Sequence, residues 1–249
     1  MNRLACARAC TLIELVAVVV IIGILASVAI RSLKSASDVS RIEQTKQKLD
    51  RLAIAIAGDP ALVSGGGRTS YGYVGDVGAL PTNLDALVQN PGGFTTWKGP
   101  YVRDDFTSGG SNSSFKMDAW GKSLSYTGGL NITSTGSGSL ITRVVAASSS
   151  QLLLNKVTAV VTDLGKSTPG ETYKDSVKLL LTIPNGVGST ATKIRYPSAE
   201  GDAQFDSIPI GQHELRVVYL PTSDTIVRLL HVNPGQDVYS EISLFRKVW

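Results

Sequence analysis

The run Thr11-Leu12-Ile13-Glu14-Leu15-Val16-Ala17-Val18-Val19-Val20-Ile21-Ile22-Gly23-Ile24-Leu25-Ala26-Ser27-Val28-Ala29-Ile30 decides the architecture. Glu14 is its one charge, and the sixteen residues from Leu15 to Ile30 have none. At a helical rise of ~1.5 Å per residue, these twenty residues span ~30 Å, about one bilayer hydrocarbon core. Glu14 is out of place in a plain span. A carboxylate at the centre of a membrane helix costs ~2.5–3.5 kcal/mol, and less near an end. A polar group retained there wants a partner, and the nearest candidate is a cation at or beside the start of the segment.

Working outward toward the C-terminus, Leu33, Ala36, Val39, Ile42, Leu49, Leu52, Ala53 and Ile56 recur at threes and fours, and no Pro or Gly intervenes before Gly58-Asp59-Pro60. The pattern predicts one helix of up to ~47 residues from Thr11, on the order of 70 Å long. Ile42, Leu49, Leu52 and Ile56 are expected to contact the chain's own globular part. Toward the N-terminus, Arg3 and Arg8 precede the run, and three kinds of segment begin this way. One is a secretory signal cut after Ser27-Val28-Ala29, although its apolar region would exceed the usual ~7–15 residues. Another is a simple signal anchor, which needs nothing at Glu14. The third comes from likeness to a family.

Ala9-Cys10-Thr11-Leu12-Ile13-Glu14-Leu15 and the apolar run after it resemble the leader and helix of type IV pilins and type II secretion pseudopilins. The resemblance implies a leader over 1–9, cleavage between Ala9 and Cys10 by a prepilin peptidase, methylation of the new N-terminus, and Glu14 as the fifth mature residue. Where the family has Gly before the cut and Phe or Met after it, this chain has Ala9 and Cys10. The family's small residue at mature position fourteen falls on Gly23. Glu14 would neutralise the amine of a neighbouring subunit in a low-dielectric helix bundle, fixing register as well as lowering the desolvation penalty. The implied partners are identical or related pilin subunits through the N-terminal helix, the prepilin peptidase and an inner-membrane assembly platform. The implied location is a single-pass bacterial inner-membrane protein with a periplasmic globular part, extracellular once in a filament.

Composition narrows the remainder. The 249 residues hold 24 Lys and Arg against 20 Asp and Glu, a net charge of +4 with a pI near 9.0. That balance invites a nucleic-acid partner until the excess is located. Arg3 and Arg8 account for two charges, and residues 31–57 carry six basic groups against three acidic ones. Residues 58–249 carry sixteen of each, so no basic nucleic-acid surface is expected. Cys6 and Cys10 are the only cysteines, which excludes a disulfide framework or thiolate metal cluster downstream.

Residues 58–147 are Gly- and Ser-rich. Leu80-Pro81-Thr82, Trp97-Lys98-Gly99-Pro100-Tyr101-Val102 and Asp118-Ala119-Trp120-Gly121 resemble the globular part of major pseudopilins. The likeness implies a Pro-Thr turn before a short helix, the start of a strand at Trp97, and a Trp-Gly turn. The family's acidic calcium loop is replaced by Asn131-Ile132-Thr133-Ser134-Thr135-Gly136-Ser137-Gly138-Ser139, without a carboxylate, so no calcium is expected there. Asp104, Asp105 and Asp118 read as solvated turn residues in preference to a weak cation site, and Gly65-Gly66-Gly67-Arg68 as a flexible turn.

A Ser-rich link at 146–151 leads to a change of character over 152–249. Seven short β-branched runs, Val157–Thr162, Val177–Ile183, Thr192–Tyr196, Gln204–Ile208, Glu214–Leu220, Thr225–Val232 and Val238–Phe245, predict a β-sandwich. Val160-Val161-Thr162-Asp163-Leu164-Gly165 and Phe205 to Leu215 resemble carboxypeptidase-regulatory-like domains. The expected fold is therefore α+β: a long N-terminal transmembrane and stem helix (10–57) packed on a small antiparallel-sheet pilin-like domain (58–147), then the sandwich. His213, at the start of a predicted strand, and His231, inside one, are the only histidines and lie outside any metal or nucleophile motif, and His213 is expected to project from a sandwich face. No catalytic residue, metal or cofactor is expected. A structural filament subunit is the leading expectation, and a membrane-anchored or secreted sandwich-type binding module is the alternative.

Overall fold

The computed structural model describes residues 12–103 and 114–249, so Ala9, Cys10, Asp104 and Asp105 lie outside the described residues. Helix α1 (Leu12–Ala57) runs unbroken through Gly23 for 46 residues, about 70 Å. It ends at Gly58, whose φ of +81° is a left-handed stop and whose N–H still reaches the Ile54 carbonyl at 2.6 Å. Among the described residues, only its C-terminal part is packed. Thr45, Leu49, Leu52 and Ile56 are buried, whereas Ile42 is half-exposed, so the expected contact with the globular part begins one turn later than the periodicity suggests. Each fully buried Leu or Ile there contributes about 1.5–3 kcal/mol.

After α1 come β1 (Val63–Ser64) and β2 (Gly67–Arg68), a hairpin turning through Gly65 and Gly66, both at positive φ as its two-residue loop requires. Helix α2 (Gly72–Val77) packs on the stem, and a 3-10 turn at Leu84–Leu87, capped by Asn83, adds Leu84 and Leu87 to the same core. The Pro-Thr turn thus precedes a short helical element, as expected. Strand β3 (Asn131–Ser134) pairs antiparallel with β4 (Ile141–Val144), and both lie against α1. Trp97–Val102 forms no strand. Instead it is a loop fixed by its aromatic tips: the Trp97 indole donates to the Ala86 carbonyl at 2.9 Å and the Tyr101 hydroxyl to Asp76 at 2.9 Å.

The Ser-rich link carries a short helix. Ser149–Leu153 forms α3, capped by the Ser148 hydroxyl, with Leu152 fully buried in the same core as Leu49 and Ile56. Beyond it lie β5 (Asn155–Thr162), the short α4 (Gly170–Tyr173), β6 (Val177–Pro184), β7 (Thr190–Arg195), β8 (Asp202–Ile208), β9 (Gly211–Tyr219), β10 (Asp224–Val232) and β11 (Val238–Ser243). These seven strands build two sheets, ordered β10-β9-β6-β7 and β11-β5-β8, with β11 parallel to β5 and every other pairing antiparallel. Alternating residues such as Val157, Leu179, Leu181, Phe205, Leu215 and Val217 fill the space between them. The fold is α+β, with a long helix on small antiparallel sheets followed by a β-sandwich.

Two features close the sandwich. Lys193 on edge strand β7 donates to the Asp206 and Ser207 carbonyls at 2.5 and 3.3 Å, and Arg195 to the Gln204 carbonyl at 3.2 Å. Both side chains thereby occupy backbone acceptors on the free edge of β8. Asp163, just after β5, accepts the Ser167 and Val248 N–H groups at 3.0 and 3.3 Å and ties down the C-terminal residues. Burial acts to raise its carboxyl, and N–H groups from Ser167, Gly165, Val248 and Trp249 outweigh that and hold it below the usual range.

Candidate functional site

The N-terminal part of α1 is the feature no other part of the chain accounts for. The apolar side chains singled out on sequence, from Leu12 at 83% to Ile30 at 66%, are exposed, and the helix has the length and composition to cross a membrane. Backbone groups there are satisfied within the helix, as a lipid environment demands, while the side chains are exposed among the described residues. Water is a poor surrounding for this surface, since burying each Val, Leu or Ile is worth about 1.5–3 kcal/mol.

Glu14 sits in the first described turn of α1 and is exposed. Gly23 is nine residues on, about 14 Å along the axis and on the opposite face. A Cβ at Gly23 would meet no atom within 4 Å among the described residues, none of which requires glycine there. The structure does not bring Glu14 and Gly23 together, and Ala9 and Cys10 lie outside the described residues.

Where the helix enters the globular part, it is held by a polar clasp that sequence reasoning missed. Asp118 is 4% exposed and is not a solvated turn residue. Its carboxylate accepts the Ser134 hydroxyl at 2.6 Å and the Trp120 and Lys122 N–H groups, each at 2.9 Å. Burial acts to raise this carboxyl; the Ser134 hydroxyl with the N–H groups of Lys122, Trp120 and Gly136 outweigh it and hold it below the usual range. With its oxygens taken by protein donors, Asp118 is not arranged as a cation ligand, and no group of three or more potential metal ligands occurs among the described residues. Next along the turn, the Ala119 N–H reaches Thr45 of α1 at 3.1 Å. Lys48, one turn further on α1, donates to the Ser114 and Met117 carbonyls at 2.9 and 2.6 Å, and its burial lowers the ammonium pKa.

His213 points inward, contrary to expectation. It is 2% exposed, with Nε2 2.7 Å from the Pro209 carbonyl, and burial lowers its pKa against the opposing effect of that hydrogen bond. His231 lies 3.0 Å from the Arg68 carbonyl and 3.4 Å from the Tyr71 hydroxyl, joining β10 to the β1–β2 hairpin. Among the described residues, His213 holds β9 to the loop before it, and His231 holds β10 to the β1–β2 hairpin.

No protein-family model matches the sequence, and no curated protein does. Among solved structures, the Bacillus anthracis TIE protein overlaps 49% of this chain at 14% identity with a TM-score of 0.31, and the chain covers 24% of it. BcpA, described as the major pilin subunit of Bacillus cereus, overlaps 45% at 14% identity with a TM-score of 0.24, and the chain covers 36% of it. The chain thus spans about a quarter and about a third of these two proteins, and scores this low do not define a shared fold.

Proposed function

We propose that this chain is the structural subunit of a pilus-type filament or secretion pseudopilus, held in a membrane by Leu12–Ile30 before assembly and packed through the same surface afterwards. The exposed apolar half of a helix whose other half is rooted in a folded domain carries this reading. Lipid can cover that surface in the precursor, and the equivalent helices of other copies can cover it in a filament. On this proposal a prepilin peptidase cleaves between Ala9 and Cys10 and methylates the new amine. Glu14 then neutralises the amine of a neighbouring copy, which removes an unpaired charge from the bundle and sets the axial stagger of the helices. Gly23 gives neighbouring helices a place for close approach. The single-pass precursor in the bacterial inner membrane, with its globular part in the periplasm, and the assembly platform belong to the same proposal.

Mass spectrometry of the mature N-terminus tests the first step: a methylated Cys10 is expected, and a chain beginning at Ile30 overturns it in favour of a secreted sandwich protein. Electron microscopy tests the second. Filaments are expected, with Glu14→Ala processed normally but poorly incorporated. Normal assembly by that variant removes the amine pairing, and a monodisperse detergent-soluble monomer as the final state supports a tethered binding module instead.

A further inference from the structure

The sandwich has four edge strands, and three of them are guarded against a further strand. On the β7 and β8 side, Lys193 and Arg195 reach across and occupy backbone carbonyls of β8. On β10, Arg228 shares parity with the buried Ile226 and Leu230 yet is exposed, a charge that an added strand would have to bury. The edge of β11 has neither device. This strand pairs only with β5, residue for residue from Val238 opposite Val157 to Ser243 opposite Thr162. The Leu244 N–H, next in line, bonds to the Thr162 carbonyl at 2.8 Å. Even-numbered residues of β11 therefore turn their N–H and C=O groups toward β5, and Tyr239, Glu241 and Ser243 turn theirs away. No hydrogen bond among the described residues reaches those outward groups. The one charge on the strand, Glu241, is already paired with Lys166 at 2.7 Å. By parity it shares its face with Tyr239 and Phe245, the two most exposed aromatic side chains of the sandwich.

We infer that the β11 edge is the contact for a second copy of this chain, the two edges pairing antiparallel about a two-fold axis so that two three-stranded sheets become one. The residues on the edge match themselves. With the axis at Ile242, Tyr239 lies opposite Phe245 of the second copy and Glu241 opposite Ser243, and symmetry makes each match twice. The outward N–H and C=O groups of Glu241 and Ser243 then bond across the axis, and aromatic pairs of this kind are among the favourable cross-strand contacts. An axis at Ser240 or at Glu241 loses the aromatic match, and the second of these sets two carboxylates face to face. The side chains thus favour one register, which an edge open to any extended peptide would not need. The contact uses no part of α1 and does not rest on the filament reading.

Sedimentation of the full chain in detergent micelles, from about 1 to about 200 μM, tests the contact. A reversible dimer is expected, and hydrogen exchange should show the Tyr239, Glu241 and Ser243 amides protected only at the higher concentration. Glu241→Pro takes away one outward N–H and puts a ring in the path of the second strand, at a position where an edge strand tolerates proline. It and Phe245→Ser, a change at a side chain already in solvent, should each weaken the dimer about tenfold or more. Unchanged thermal unfolding of the variants separates lost contact from lost folding. A chain that stays monomeric throughout overturns the proposal, and so does a dimer that keeps its affinity in both variants. Association through α1 survives both substitutions and leaves the three amides unprotected, so failure here is distinct from failure of the assembly proposal.

Discussion

Replacing Asp118 by Ala tests whether the polar clasp, and not apolar contact alone, fixes the stem helix. Three donors lose their acceptor: the Ser134 hydroxyl, whose residue is 1% exposed, and the N–H groups of Trp120 and Lys122. A hydrogen bond to a charged group is worth about 1.5–3 kcal/mol, and a buried donor left unpaired costs a similar amount. The full value applies to Ser134. The two amides sit on partly exposed residues that water can reach, so about 0.5–1.5 kcal/mol each is the right scale. The expected loss is therefore about 3–5 kcal/mol for Asp118→Ala. Asp118→Asn keeps an acceptor for the amides and can donate to the Ser134 hydroxyl, leaving only the lost charge assistance, about 1–2 kcal/mol. Urea unfolding of the full chain in micelles measures both, and hydrogen exchange locates the damage. Protection should fall first at Ala119, Trp120 and Lys122. A change below about 0.5 kcal/mol for Asp118→Ala, or equal losses for Ala and Asn, would refute the reasoning.

Leu52→Ala, at a residue 1% exposed between the stem and the globular part, should cost about 3–5 kcal/mol by calorimetry. Lys48→Met removes two bonds to carbonyls and should cost about 1–2 kcal/mol while leaving secondary structure by circular dichroism unchanged. His213 has a depressed folded pKa, so the unfolded chain binds its proton first; stability should decline as pH falls below about 6.5, by at most ~1.4 kcal/mol per pH unit. His213→Gln should flatten that part of the curve in pH-dependent unfolding. Asp118 and Asp163 are also depressed, but as acids their contribution is present above about 3.9 and is lost only at lower pH, which separates the two windows. Lys193→Ala uncovers backbone carbonyls on the edge of β8 and should raise concentration-dependent association in light scattering.

Long periodic features were readable in one dimension. The apolar run and the threes-and-fours pattern after it specify α1, and seven β-branched runs specify the sandwich strands, because hydrophobic period encodes face directly. The Asp118 clasp was not readable, since a carboxylate's fate depends on donors elsewhere. Ser134 is sixteen residues away, and for Asp163 the partner Val248 is eighty-five away. Two misreadings had signals within reach. Ser148-Ser149-Ser150-Gln151 has the spacing of a capping box before Leu152, which marks a helix start inside the stretch read as a Ser-rich link. His213 shares parity with Leu215, Val217 and Tyr219 along β9, which places it inside the sandwich. At Trp97–Val102 the likeness to a strand start gave way to hydrogen bonds made by the Trp97 and Tyr101 tips, which hold the loop away from any sheet.

The unbroken course of α1 has a mechanical consequence. With no proline in its 46 residues, a pull or twist applied near Glu14 passes along a stiff rod some 45 Å before meeting its first buried side chain at Thr45. Sideways load on that lever is concentrated where the rod enters the globular part, at Thr45, Lys48 and the Asp118 turn. If the chain works under tension, those few hydrogen bonds, and not the broad apolar contact behind them, are the first to yield.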